Sequence, residues 1–181
     1  SKFTPIAPNA VNTFVLDVVG STVDKGCAAK TFNSHPSVTI NPSLLKGLPV
    51  FTDTAVCLAA VTAPVYIKNA IIGVKYVFSL GAKKIDSVTA TSNPQLIKIR
   101  IDSLNPVANL KVLRSLSVRG SIKNCASQLF DDVANITINP TLDANYPSFN
   151  DTTVCNTAST ATIRIKNAIV GVKYVFYNGT T

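Results

Sequence analysis

The chain has 181 residues, enough for one domain or two small ones. Apolar residues make up 46% and charged residues 14%, which excludes a disordered polar chain. Seventeen basic against nine acidic side chains give a net charge of +8, but cations such as Lys98, Arg100, Arg164 and Lys166 are scattered between apolar residues on strand-like runs. That placement fits a solvated outer face rather than a nucleic-acid patch. The absence of Met and Trp and the abundance of Val, Ile, Ala and Thr suit pleated, half-buried strands.

The sequence begins at Ser1 with no initiator Met and no signal peptide, so a processed secreted protein or a piece of a longer one is expected. Turn signals fall at Asn41-Pro42 and Lys46-Gly47. The longest apolar run, residues 55–66, is short and broken by Thr62 and Pro64, so no membrane span is expected. Further turns are marked by Asn69 to Gly73, Gly81 and Ser92-Asn93-Pro94. Ile97, Ile99 and Ile101 alternate with Lys98, Arg100 and Asp102, the period of a strand with one buried face. Asn105-Pro106 and Gly120-Ser121 are turn signals. Asp131-Asp132, the only acidic pair, is expected in a solvated loop before a strand, and Asn139-Pro140 is another turn. Ala161, Ile163 and Ile165 alternate with Thr162, Arg164 and Lys166. Val172, Tyr174 and Phe176 alternate with Lys173 and Val175. Tyr76, Tyr174, Phe78 and Phe176 are assigned to core packing. Stretches such as 58–63 lack a 3.6-residue period, so no helix is expected. About seven short strands per hundred residues, punctuated this way, predict an all-β fold built on antiparallel sandwiches.

The chain also repeats itself. Residues 67–78, IKNAIIGVKYVF, return as IKNAIVGVKYVF at 165–176, and without gaps 25 of 41 positions are identical between 38–78 and 136–176. The unit is therefore about 98 residues long, copied in tandem. Asn41-Pro42 and Asn139-Pro140 read as its ends. Residues 1–42 are then the back half of one module, 43–140 a complete module, and 141–181 the front half of another. An isolated half-sandwich leaves apolar faces and open edges in water. More chain beyond both ends, or successive molecules completing one another head to tail, would cover them.

Four cysteines follow the repeat: Cys57 with Cys155, and Cys27 with Cys125. An even, phased set in a strand-rich chain predicts disulfides and an oxidising exterior. Two pairings respect the repeat. One joins Cys57 to Cys125 inside the module and sends Cys27 and Cys155 to neighbouring half-modules. The other joins Cys27 to Cys57 and Cys125 to Cys155 across module boundaries. The first is favoured because it closes an early and a late strand of one sandwich, worth roughly 4 kcal/mol in the chain-entropy model. No Cys-x-x-Cys occurs and the single His35 stands in a turn beside Pro36, so no metal site is expected. No nucleophile elbow, EF-hand or phosphate loop is present, and neither catalysis nor a cofactor is expected. Asn135, Asn150 and Asn178 each begin an Asn-x-Thr acceptor pattern for N-glycans.

The run Ile136-Thr137-Ile138-Asn139-Pro140, then Pro147-Ser148-Phe149, Thr153-Val154-Cys155, the strand ending at Ile165, and Asn167 through Tyr174 resemble the Ig-like repeats of giant Bacteroidota surface proteins. The late Gly-Cys of those repeats corresponds to Cys27 here, and to Cys125 in Gly120-Ser-Ile-Lys-Asn-Cys125. Residues 79–104 are not distinctive. The resemblance implies a secreted, extracellular cell-surface filament exported by the type IX route, with gliding-motility adhesins of the SprB kind as the concrete example. It also implies O-glycosylation of Thr54, Ser87, Ser103 and Thr152, each following an Asp. The C-terminal sorting domain of such adhesins is not visible in this sequence.

The expected function is accordingly structural: a repeat of an extracellular adhesin-type filament or stalk made of end-to-end β-sandwiches, whose partners are neighbouring copies or modules of the same protein. A pilus-like subunit that polymerises by half-domain complementation is a variant. A module that binds surface polysaccharide through exposed Lys and Arg is the alternative from another class.

Overall fold

The structure is a computed structural model, and it describes residues 11–20, 29–108 and 110–178. It is all-β apart from one 3₁₀ turn, Asp102–Leu104. Among the described residues, no helix is long and apolar enough to cross a membrane.

The N-terminal part contains β1 (Asn12–Val15), β2 (Val19–Gly20), β3 (Lys30–Thr31) and β4 (Ser37–Ile40). β1 pairs with β4 and β2 with β3, both antiparallel, as two ladders of one long hairpin. The middle of the chain supplies β5 (Val50–Phe51), β6 (Thr54–Cys57), β7 (Thr62–Lys68), β8 (Lys75–Leu80), β9 (Lys83–Thr89), β10 (Gln95–Arg100), β11 (Val112–Ser121) and β12 (Gln128–Asn139). The C-terminal part adds β13 (Ser148–Phe149) and β14 (Ile165–Lys166), paired antiparallel.

β5 to β12 form a sandwich. One sheet has the order β10-β7-β5 and the other β6-β12-β11-β8-β9. Period-two alternation creates its interior. On β7, Ala63, Val65 and Ile67 are buried while Pro64, Tyr66 and Lys68 face out. Pro64 is tolerated because β5 reaches only Ile67 and Lys68, leaving β7 an edge beside the proline. Phe51 and Phe78 meet edge to face at 5.8 Å, and Phe130 packs on both Phe51 and Tyr76. Each such buried side chain stabilises by roughly 1.5–3 kcal/mol.

Two features differ from the sequence expectation. The sandwich is not wholly antiparallel: β6 runs parallel to β12, with Thr54 opposite Ile136 and Cys57 opposite Asn139. Asp131-Asp132 is not a loop before a strand but lies inside β12, where the register with β11 shifts between Ser117 and Arg119. The Asp132 carboxylate accepts the Phe51 N–H at 2.7 Å and the Val133 N–H at 2.9 Å. A residue that reads as solvated in the sequence thereby ties β12 to β5 of the opposite sheet.

Candidate assembly interface at the two junctions

The front of the repeat folds alike in both copies. The Asn69 and Gly73 backbones have φ of 55° and 87°, and those of Asn167 and Gly171 have 55° and 84°. Tyr76 Oη accepts the Ile71 N–H at 2.9 Å, and Tyr174 Oη accepts the Ile169 N–H at the same distance. Thr54 Oγ1 donates to the Pro64 carbonyl and Thr152 Oγ1 to that of Thr162, each at 2.6 Å. The edge-to-face pair Phe51–Phe78 returns as Phe149–Phe176, at 5.6 Å.

What differs is cover. Phe51 is 4% exposed and Phe78 fully buried, whereas Phe149 is 50% and Phe176 54% exposed. Phe149, Ile163, Tyr174 and Phe176 line an open cleft of ≈ 540 Å³. In the middle sandwich the fourth ring of the cluster, beside Phe51, Tyr76 and Phe78, comes from Phe130 on β12. Its counterpart 98 residues earlier is Phe32, in the N-terminal hairpin and 52% exposed.

The late strand repeats with a gap that the ungapped frame hides. A Cβ on Gly120 would lie 2.5 Å from Phe130 Cζ, and one on Gly20 would lie 2.6 Å from Phe32 Cε2. The two Gly-Phe contacts are the same feature, with ring carbon packed on bare backbone. Gly20 therefore corresponds to Gly120, a spacing of 100, and the hairpin loop is two residues longer in the first copy. The recurrence of Gly20-Ser21 as Gly120-Ser121 was the sequence signal for this.

With that frame the two junctions coincide. A Cβ on Gly73 would touch Val11 Cγ2 at 3.9 Å, and one on Gly171 would touch Lys111 Cδ at 3.7 Å. Val11 and Lys111 are 100 residues apart, as Gly20 and Gly120 are. Each junction thus seats the Gly turn of one unit on the start of the late strand of the unit before it. At the second junction the turn, Pro140 and Cys57 surround a cavity of ≈ 570 Å³. At the first, Asn41 donates from its side-chain amide to the Lys123 carbonyl at 2.7 Å.

The disulfide expected within the module, Cys57 to Cys125, is not formed; Cys57, Cys125 and Cys155 are free and exposed. The register gives the reason. Cys57 stands beside Asn139 at the last position of β12, while Cys125 lies in the hairpin before Gln128, the first. A strand of that length holds them roughly 35 Å apart, far beyond the reach of a disulfide. Cys27, in both proposed pairings, lies outside the described residues.

The candidate modification positions are spread over the surface. The hydroxyls of Thr54 and Thr152 are engaged as described, and Ser103 Oγ donates to the Arg100 carbonyl at 2.7 Å. Ser87 is half-buried in β9. Asn135 accepts from Ser115 Oγ at 2.6 Å on the outer face of β12, Asn150 donates its N–H to the Arg164 carbonyl, and Asn178 is exposed. His35 Nδ1 lies 3.1 Å from an Asp17 carboxylate oxygen. Asp17 lies between β1 and β2 and His35 between β3 and β4, at the repeat positions of Ser117 and Val133, which oppose each other in the sandwich. Among the described residues, no three His, Cys, Asp or Glu side chains group as metal ligands would.

No family model, curated protein or solved structure matches the chain.

Proposed function

We propose that this chain is a structural segment of an extracellular, adhesin-type surface filament or stalk, built of β-sandwiches joined end to end. The observation that carries the reading is the divided ring cluster. Phe149 and Phe176 lie open at one end, beside half-buried Tyr174 in the same cleft, and Phe32 lies open at the other, while their equivalents Phe51, Tyr76, Phe78 and Phe130 close the middle sandwich. The occupant that fits each open face is the missing half of the same repeat. Burying such faces removes apolar surface from water and pairs open edges in one step. Buried Pro42, together with Pro140, stiffens the joints because proline fixes its own backbone and restricts the residue before it.

The missing halves come from one longer polypeptide or from a second copy of the chain. Electron microscopy of the native material tests the reading. End-to-end beads, each one sandwich long, are expected; isolated compact monomers, stable without neighbours, overturn it.

A further inference from the structure

Cys57 and Cys125 stand at opposite ends of the same sandwich, yet each faces the same kind of place. Cys57 sits at register with Asn139, on the outer face of β6. In a parallel pair that neighbour is about 5 Å away. Cys125 borders a small cavity with Thr39 and Asn41, and a second with Pro42. Thr39-Ile40-Asn41-Pro42 and Thr137-Ile138-Asn139-Pro140 are the same repeat positions. Thr137 and Asn139 lie on the outer face of β12, opposite buried Ile136 and Ile138.

The two junctions can therefore be laid over each other through their Asn-Pro dipeptides. The second junction carries a Cys57-type thiol on the outer face beside the Asn. The first carries a Cys125-type thiol closing over that same face, from the hairpin of the following unit. Each junction holds one of the pair, because each is flanked by only one complete sandwich. A junction between two complete units holds both.

We propose that every junction is crossed by a disulfide between the early cysteine of one unit and the late cysteine of the next. This rests on the end-to-end reading above and deepens it. Between copies of this chain it makes Cys57 of one molecule bond Cys27 of its neighbour, and Cys155 of the first bond Cys125 of the neighbour. Cys27 enters by its sequence equivalence to Cys125. The bond forms by thiol–disulfide exchange with a disulfide donor. A Cys57 thiolate attacks the donor, one donor thiol leaves, and the second protein thiolate displaces the other. The electron pair and both thiol protons end on the two released donor thiols. The arrangement locks the joint between sandwiches rather than the sandwich itself, so tension along the filament meets a covalent link at each boundary.

The test is the full chain, concentrated in oxidised and reduced glutathione and run on non-reducing gels, with unreduced peptides mapped by mass. The wild type is expected to give a ladder containing Cys57–Cys27 and Cys125–Cys155 peptides. Cys57 and Cys125 are both exposed, so the double variant Cys57→Ser/Cys125→Ser keeps its fold. It removes one partner from each proposed bond, and complete loss of the ladder is expected. A ladder that survives in the double variant, or mapped Cys27–Cys155 or Cys57–Cys125 peptides, overturns the pairing. Sedimentation under reducing conditions separates the two claims. Chains that associate when reduced but map to other cysteine pairs when oxidised overturn only the disulfide assignment, and reduced chains that stay monomeric overturn the end-to-end joining of copies with it.

Discussion

Asp132 and Gly120 act on the sandwich through single atoms. The Asp132 carboxylate takes the Phe51 N–H from the opposite sheet at 2.7 Å, and a hydrogen bond to a charged group contributes about 1.5–3 kcal/mol. Asp132→Ala is therefore expected to lose about that much in urea denaturation, and Asp132→Asn, which keeps an acceptor oxygen, less. At Gly120 the constraint is steric. The added methyl of Gly120→Ala would sit 2.5 Å from the Phe130 ring, so the ring or strand must shift, at a cost of roughly 1–3 kcal/mol. Gly47→Ala, with nothing within 4 Å of the new carbon, is the matched control and is expected to change stability by no more than about 0.5 kcal/mol. Equal stabilities for the two alanine variants would remove the packing argument for that glycine.

The turn between β7 and β8 is the element that the sequence describes best. Its Asn, Gly and Tyr were legible because each has a local job: two residues with left-handed backbone and one hydroxyl that receives a turn N–H. Tyr76 is fully buried, and burial pushes its hydroxyl above the ordinary value of 10.0, against a smaller opposing effect of the Ile71 N–H. The folded protein thus holds the phenolic proton more tightly than the unfolded chain. Stability from this source is complete below pH 10 and falls as pH rises through and beyond it. Tyr76→Phe should flatten that alkaline decline in thermal melts between about pH 9 and 11, while lowering stability at pH 7 by about 1 kcal/mol for the orphaned N–H. An unchanged alkaline slope would mean that another group sets it. The late hairpin was less legible. Its two-residue difference in loop length shifts β2 against β11, so an ungapped comparison sets Gly120 against Thr22. The parallel edge strand β6 left no periodic mark either, because alternation is the same in both strand directions. The acidic bulge was misread for a related reason: a local pattern cannot show that a distant N–H, that of Phe51, comes to meet it.

At the scale of the whole molecule, the sequence carried the repeat and its broken phase, but not which face of each half is left bare. That depends on long-range pairing, which places Phe130 between Phe51 and Tyr76 and, among the described residues, gives Phe32 no such ring neighbours. The same non-locality undid the within-module staple. Equivalent cysteines are obvious in sequence, whereas their separation by the full length of β12 is a property of the folded sheet. The burial contrast yields the sharpest expectation about assembly. If an approaching hairpin brings Phe32 into the Phe149–Tyr174 cleft as Phe130 enters its own, truncating it costs about 3–5 kcal/mol there. Association of Phe32→Ala copies should then weaken by a hundredfold or more, measured by sedimentation with all thiols reduced. The melting of the middle sandwich should not move, since Phe32 is already half exposed in the single chain. Phe130→Ala should do the reverse, unfolding the middle sandwich by a similar amount through loss of a ring that is 5% exposed. If Phe32→Ala copies associate as tightly as the wild type, the ring is not part of any shared core, and the two open halves do not complete one another.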